Sequence, residues 1–124
     1  MKGRELDFEI RFYEEILRRN PRHVDALIPL AEAYTRKGLY EKGLEMDKRL
    51  SKLRPKDAAV RYNLACSLAL LHKKKEALAA LGRAVQLGYT DWEHLARDPD
   101  LKGLRHLGAF KKLVGLLKSL AARS

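Results

Sequence analysis

Residues 21–55 read PRHVDALIPLAEAYTRKGLYEKGLEMDKRLSKLRP, two apolar-periodic stretches bracketed by prolines. Pro21 and Pro55 are 34 residues apart, and the positions around them recur at that offset. Ile10, Leu44 and Leu78 fall in step, as do Ile16, Leu50 and Ala84, and Tyr89 follows Pro55 by one more period. Apolar residues within each period keep the i, i+3, i+4, i+7 spacing of one helix face. A period of about 34 built from such stretches is the signature of stacked helix pairs.

Working outward, the spacing of Leu6, Ile10, Tyr13, Ile16 and Leu17 predicts a first helix over 5–19, ended by Asn20-Pro21. A second helix is expected from a cap at Asp25 to Arg36, closed by Gly38, and a third over about 40–53, stopping before Pro55. Asp57 should cap a fourth helix through Leu71, and a fifth takes about 74–87 and ends at Gly88. Pro29 falls inside the second helix, as its fourth residue if Asp25 is the cap, and should kink the helix mildly rather than break it. Residues 89–124 depart from the repeat, with Asp98-Pro99-Asp100 as a turn or helix entry that puts Pro99 at a first helical position, and an amphipathic helix from Leu107 to Ala121. That segment is expected to cap the array, because the end of a stack otherwise leaves a core face in water.

The small residues carry the most specific part of the pattern. Ala31 facing Gly43, and Ala65 facing Ala77, let the two helices of one pair approach closely. With Leu27, Leu30, Tyr34 and Pro55 in the first full repeat, and Leu64, Leu68, Leu81 and Ala84 in the second, the chain resembles a tetratricopeptide repeat protein. Arg61 stands at the tryptophan place of the second repeat, and Asp47 where a large aromatic is usual, so Met46 or Leu50 must fill that space. The tail, Asp98-Pro99-Asp100-Leu101, Leu104-Arg105 and Phe110, is similar to the segment that closes many bacterial tetratricopeptide proteins. The resemblance implies an all-α solenoid of antiparallel helix hairpins in a right-handed superhelix, with six to seven helices. It would form one domain over 1–124: a lone helix 5–19, repeats at 22–54 and 56–88, and a cap at 89–124.

The resemblance also implies a site. In this family the first helix of each pair lines a concave groove that receives a peptide. Carried over by repeat phase, that groove displays Ile28, Glu32 and Arg36 from the second helix, then Ala59, Tyr62, Asn63, Cys66 and Leu70 from the fourth. Tyr62 is expected as an exposed aromatic anchor and Asn63 as an amide that bonds peptide backbone. The alternative is that these residues only pack: Cys66 as a small core residue, and Tyr62 under a cap that folds back into the groove. The clamp by which some members hold a C-terminal carboxylate is incomplete, since Ile28, Glu32 and Tyr62 stand at its basic places.

Composition narrows the partners. The chain carries a net charge of +10, spread along everything after the first helix, with Lys73-Lys74-Lys75 the longest basic run. That charge biases binding toward acidic protein segments; a basic nucleic-acid-associated protein is the alternative, though no aromatic-basic motif accompanies the lysines. Phe8 and Phe12 lie four apart on the first helix, and Glu9 takes the small-residue place there, so a homodimer through residues 5–19 is expected. Cys66 is alone, which excludes a thiol zinc cluster and a disulfide framework, and His23, His72, His94 and His106 fall in or near separate connections without helical pairing. No cofactor or metal is expected. With no signal-peptide core and no apolar stretch of about 20 residues, the expected setting is cytoplasmic and away from membranes. No nucleophile-base spacing, paired carboxylates or Gly-rich phosphate loop is present, so the reading is an adaptor and not an enzyme.

Overall fold

The computed structural model describes residues 2–123; Met1 and Ser124, which the expected span 1–124 includes, lie outside them. The chain forms two compact units, divided between Pro55 and Lys56. The first holds α1 (Lys2–Arg19), α2 (Val24–Arg36) and α3 (Tyr40–Leu53). The second holds α4 (Ala58–Leu70), α5 (Lys74–Gln86), α6 (Trp92–Arg97), a 3-10 helix (Pro99–Leu104) and α7 (Gly108–Arg123). No strand occurs among the described residues. In the first unit α2 packs on both α1 and α3; in the second α4 packs on α5 and on the 3-10 helix, and α7 packs on α6 and α5.

The repeat runs further than the sequence reading allowed. Residues Val24, Ala58 and Trp92 open α2, α4 and α6, and Tyr40, Lys74 and Gly108 open α3, α5 and α7, each set in steps of 34. The tail is therefore a third repeat whose first helix is cut, and not a departure from the register. Pro99 makes the cut. It has no N–H to continue the ladder, and its ring drives the preceding residue out of the helical region. Asp98 accordingly sits at φ −61°, ψ 117°, and the chain restarts as a 3-10 helix with Pro99 in its first turn.

Turn chemistry repeats with the same period. Past α2 the Leu39 N–H reaches the Tyr34 carbonyl at 2.8 Å, and past α4 the Lys73 N–H reaches the Leu68 carbonyl at 2.9 Å. This closure needs a left-handed residue just past the helix, supplied by Gly38 at φ 86° and by His72 at φ 60°. A histidine there accepts strain that glycine avoids. At the other end of α4 the expected cap holds, with Asp57 Oδ1 accepting from the Val60 N–H at 3.2 Å. At α2 it does not: the helix starts two residues early, His23 is the cap without a side-chain bond, and Asp25 lies in the first turn, where its charge still favours the helix dipole. Pro29 is consequently the sixth helical residue, not the fourth, and α2 runs on through it.

Small residues set the close packing of the first hairpin. A Cβ built on Gly43 would lie 2.8 Å from Thr35 Oγ1 and 3.4 Å from the Ala31 carbonyl oxygen, so α3 approaches α2 as closely as backbone allows. Around that contact Leu27, Leu30, Tyr34, Met46 and Leu50 are buried, and Asp47 is buried beside them. In the second hairpin Ala65 and Ala77 are both fully buried at the equivalent places.

Candidate functional site

The expected site residues fall into two groups, one in each unit. On α2, Ile28, Glu32 and Arg36 are all exposed and follow one another at four-residue steps, hence along one stripe. Arg36 Nη2 bonds Glu9 Oε2 of α1 at 3.1 Å, and Lys37 pairs with Asp7. These pairs face solvent and contribute little to stability. They place the end of the α2 stripe beside a shallow groove of about 790 Å³ lined by Arg4, Glu5, Leu6, Phe8, Glu9 and Arg36. Phe8 and Phe12 stack at 6.3 Å between centroids, and both are more than half exposed. The α1–α2 packing below is held by the Tyr34 hydroxyl, which donates to Glu14 Oε2 at 2.5 Å. Burial, then that bond to a carboxylate, pushes the Tyr34 hydroxyl well up.

On α4 the expected residues separate. Ala59 and Asn63 are exposed and Leu70 is half-buried, whereas Tyr62 and Cys66 are buried. Tyr62, expected as an exposed anchor, is only 5% accessible. Its ring stacks on Tyr89 at 4.5 Å and 8°, and its hydroxyl donates to Asp98 Oδ2 at 2.6 Å. Cys66 Sγ lies 3.7 Å from the same oxygen, and His94 Nε2 3.2 Å from it. The physical reason is the broken third repeat. By turning the chain at Asp98, Pro99 brings the start of the 3-10 helix against α4, and the face that repeat phase assigns to a groove is covered there.

Asp98, at the turn or helix entry before Pro99, is the hub of this cluster. Its Oδ1 accepts from the Asp100 N–H at 3.0 Å, capping the 3-10 helix, its Oδ2 takes Tyr62, and its carbonyl takes Arg105 Nη2 at 2.9 Å. The 34-residue register was the available signal only in part: it makes Asp98 the equivalent of Leu64, a buried position on α4. His94, expected in a connection, lies within α6, whose first turn is capped by Asp91. Burial first, then the carboxylate, pushes the Tyr62 hydroxyl far up; burial, then Asp98 and Asp100, does the same to the Cys66 thiol, which makes it unreactive.

Cys66, Asp98 and Asp100 could offer a cation three ligand atoms within 4.8 Å of one another. The thiol's upward shift and the bonds already made by both Asp98 oxygens favour a hydrogen-bonded cluster instead. Asp100 carries the strain of that arrangement: burial raises its pKa, and the Asp98 carboxylate adds to the rise. An acid with a raised folded-state pKa contributes stability below its unfolded pKa, and that contribution is lost as pH rises through the folded value. Asp100→Asn should therefore raise the melting temperature at pH 7, with the gain shrinking as pH falls through the carboxylate range. Melting curves between pH 3 and pH 7 check this, and a pH-independent difference would refute it.

No protein-family model matches the chain. Over 84 residues, 65% of its length, it is 36% identical to a chloroplastic protein of Arabidopsis thaliana. The chain spans about a quarter of the length of that curated relative, 25%. Among solved structures, one titled "Crystal structure of MamA protein" superposes with a TM-score of 0.75 at 23% identity, covering 95% of this chain and 67% of that one. A second, "Crystal structure of MamA", gives 0.70 at 21% identity over 99% of this chain and 94% of that one. The fold is a tetratricopeptide-type helical repeat. No helix among the described residues is long and apolar enough to cross a membrane.

Proposed function

We propose that this chain is a non-enzymatic protein-binding module whose α2 stripe, Ile28, Glu32 and Arg36, takes a segment of another protein. The observation that carries the reading is an apolar residue, Ile28, left 38% exposed in line with two charged residues on the first helix of a hairpin. The rest of α2 is already used: Ala26, Leu27, Leu30, Ala31, Ala33 and Tyr34 are buried. On α4, Ala59, Asn63 and Leu70 stay accessible in the same repeat phase, with the Asn63 amide able both to donate to and to accept from a peptide backbone. The +10 charge steers acidic segments toward such a face. Tyr62 and Cys66 drop out of the binding set, because they pack inside the chain's own second unit.

A photoreactive amino acid placed at Glu32 tests the reading against one placed at Lys48, exposed on α3. Defined protein adducts are expected from position 32 and not from 48, and Ile28→Asp should abolish them while leaving the melting temperature unchanged. Equal adducts from both positions would overturn the reading. Adducts that disappear on nuclease treatment would favour the nucleic-acid alternative.

A further inference from the structure

The last helix carries a second exposed surface. In α7 the buried residues are Phe110 and Leu117, which leaves Leu116 53% and Leu120 48% exposed. These two leucines are four apart and form a row along the helix. Beside them Gly115 and Ser119, also four apart, form a second row of small side chains. The result is a ridge next to a hollow, the relief that a second helix packs into.

Two features of α7 work against its own stability. Glycine inside a helix is unfavourable relative to alanine. At Gly115 nothing lies within 4 Å of where a Cβ would stand, so no contact within the chain requires the missing side chain. Gly82 in α5 has the same open space, but no exposed leucine row beside it. The first turns of α7 carry Lys111 and Lys112 and no acidic residue, although a helix N-terminus disfavours cations. Over Gly108–Arg123 there are four basic residues, Lys111, Lys112, Lys118 and Arg123, and no acidic one. Lys118 is turned over the Trp92 ring, 5.3 Å from its centre, while Lys112 and Arg123 flank the leucine row at its two ends.

From this we infer that the outer face of α7 docks an acidic amphipathic helix of a partner protein. The partner's apolar residues would sit on Leu116 and Leu120, its backbone would approach over Gly115 and Ser119, and its carboxylates would meet Lys112 and Arg123. Leu120 borders Asp91 and Glu93 on its α6 side, so the cations that select an acidic partner are Lys112 and Arg123 at the ends of the row; a second α7, with no acid of its own to meet them, fits less well. A flat anionic surface would use the leucines and cations but gains nothing from the hollow at Gly115, and that difference makes the occupants separable. The surface lies on a different helix from the α2 stripe, and the inference stands without it.

The test uses the full chain and a fluorescent synthetic helix with a leucine seam flanked by glutamates. Its lysine-flanked counterpart and vesicles containing phosphatidylserine serve as the other probes. The glutamate-flanked helix should bind, and Gly115→Leu and Leu116→Asp should each weaken it by about tenfold or more, as expected when a central packing contact is blocked or removed. The lysine-flanked helix should not bind. Open space around Gly115 and the better helix propensity of leucine mean that Gly115→Leu should not lower the melting temperature, and Ile28→Asp should leave this binding unchanged. Equal binding of the two helices, or binding that Gly115→Leu leaves intact, would overturn the inference. So would vesicle binding strengthened by Gly115→Leu in the absence of peptide binding.

Discussion

Tyr62→Ala should destabilise the second unit by about 3–5 kcal/mol, the range for deleting a large buried aromatic side chain. The ring is buried against Tyr89, and the space it leaves is walled by α4 and the start of the 3-10 helix, neither of which can collapse freely. Tyr62→Phe should cost less, about 1–3 kcal/mol, because it keeps the stack and removes only the donor to Asp98. The cost should fall in the lower part of that range, since His94 and Cys66 remain near the same oxygen. Urea unfolding followed by Trp92, the one tryptophan in the chain, reads this unit directly. A tyrosine standing free in a groove would move the midpoint by no more than a surface substitution does, about 0.5 kcal/mol. An unchanged midpoint would thus return Tyr62 to the binding face.

The way Tyr62 was misplaced shows which parts of this molecule are legible in its sequence. Helix pairs and their register are local properties: prolines after a helix, glycine at a left-handed position, and small residues facing each other across a turn all act within one period. Those elements lie within three residues of their expected bounds. Ile28, Glu32 and Arg36, which repeat phase assigns to the groove on α2, are exposed. What repeat phase cannot say is which later segment covers the equivalent face of α4. That depended on the third repeat, and Pro99 hides the third repeat by breaking its first helix where Ala65 continues the helix in the second. The cap at His23 was unreadable for another reason. It makes no side-chain bond, so nothing in its chemistry distinguishes it from its neighbours.

As a third repeat, the tail should cost as much to damage as the repeat before it. Leu95, Leu101 and Leu104 are each fully buried, at 0% exposure, as completely as any leucine of the two hairpins. Leu104 closes the 3-10 helix, which packs on α4, α5 and α6 together, so a cavity there touches most of the second unit. Leu104→Ala is therefore expected to cost about 2–5 kcal/mol, comparable with Leu64→Ala in α4. Circular dichroism of the whole chain and Trp92 fluorescence should both report the loss. A flap that merely covered a finished hairpin would behave differently: Leu104→Ala would release it and leave the α4–α5 midpoint where it was. That second outcome would uncover Tyr62 and Cys66 and restore the α4 face as a groove. The first would confine binding on α4 to Ala59, Asn63 and Leu70, because a face held by several kilocalories of core packing does not open for a passing peptide.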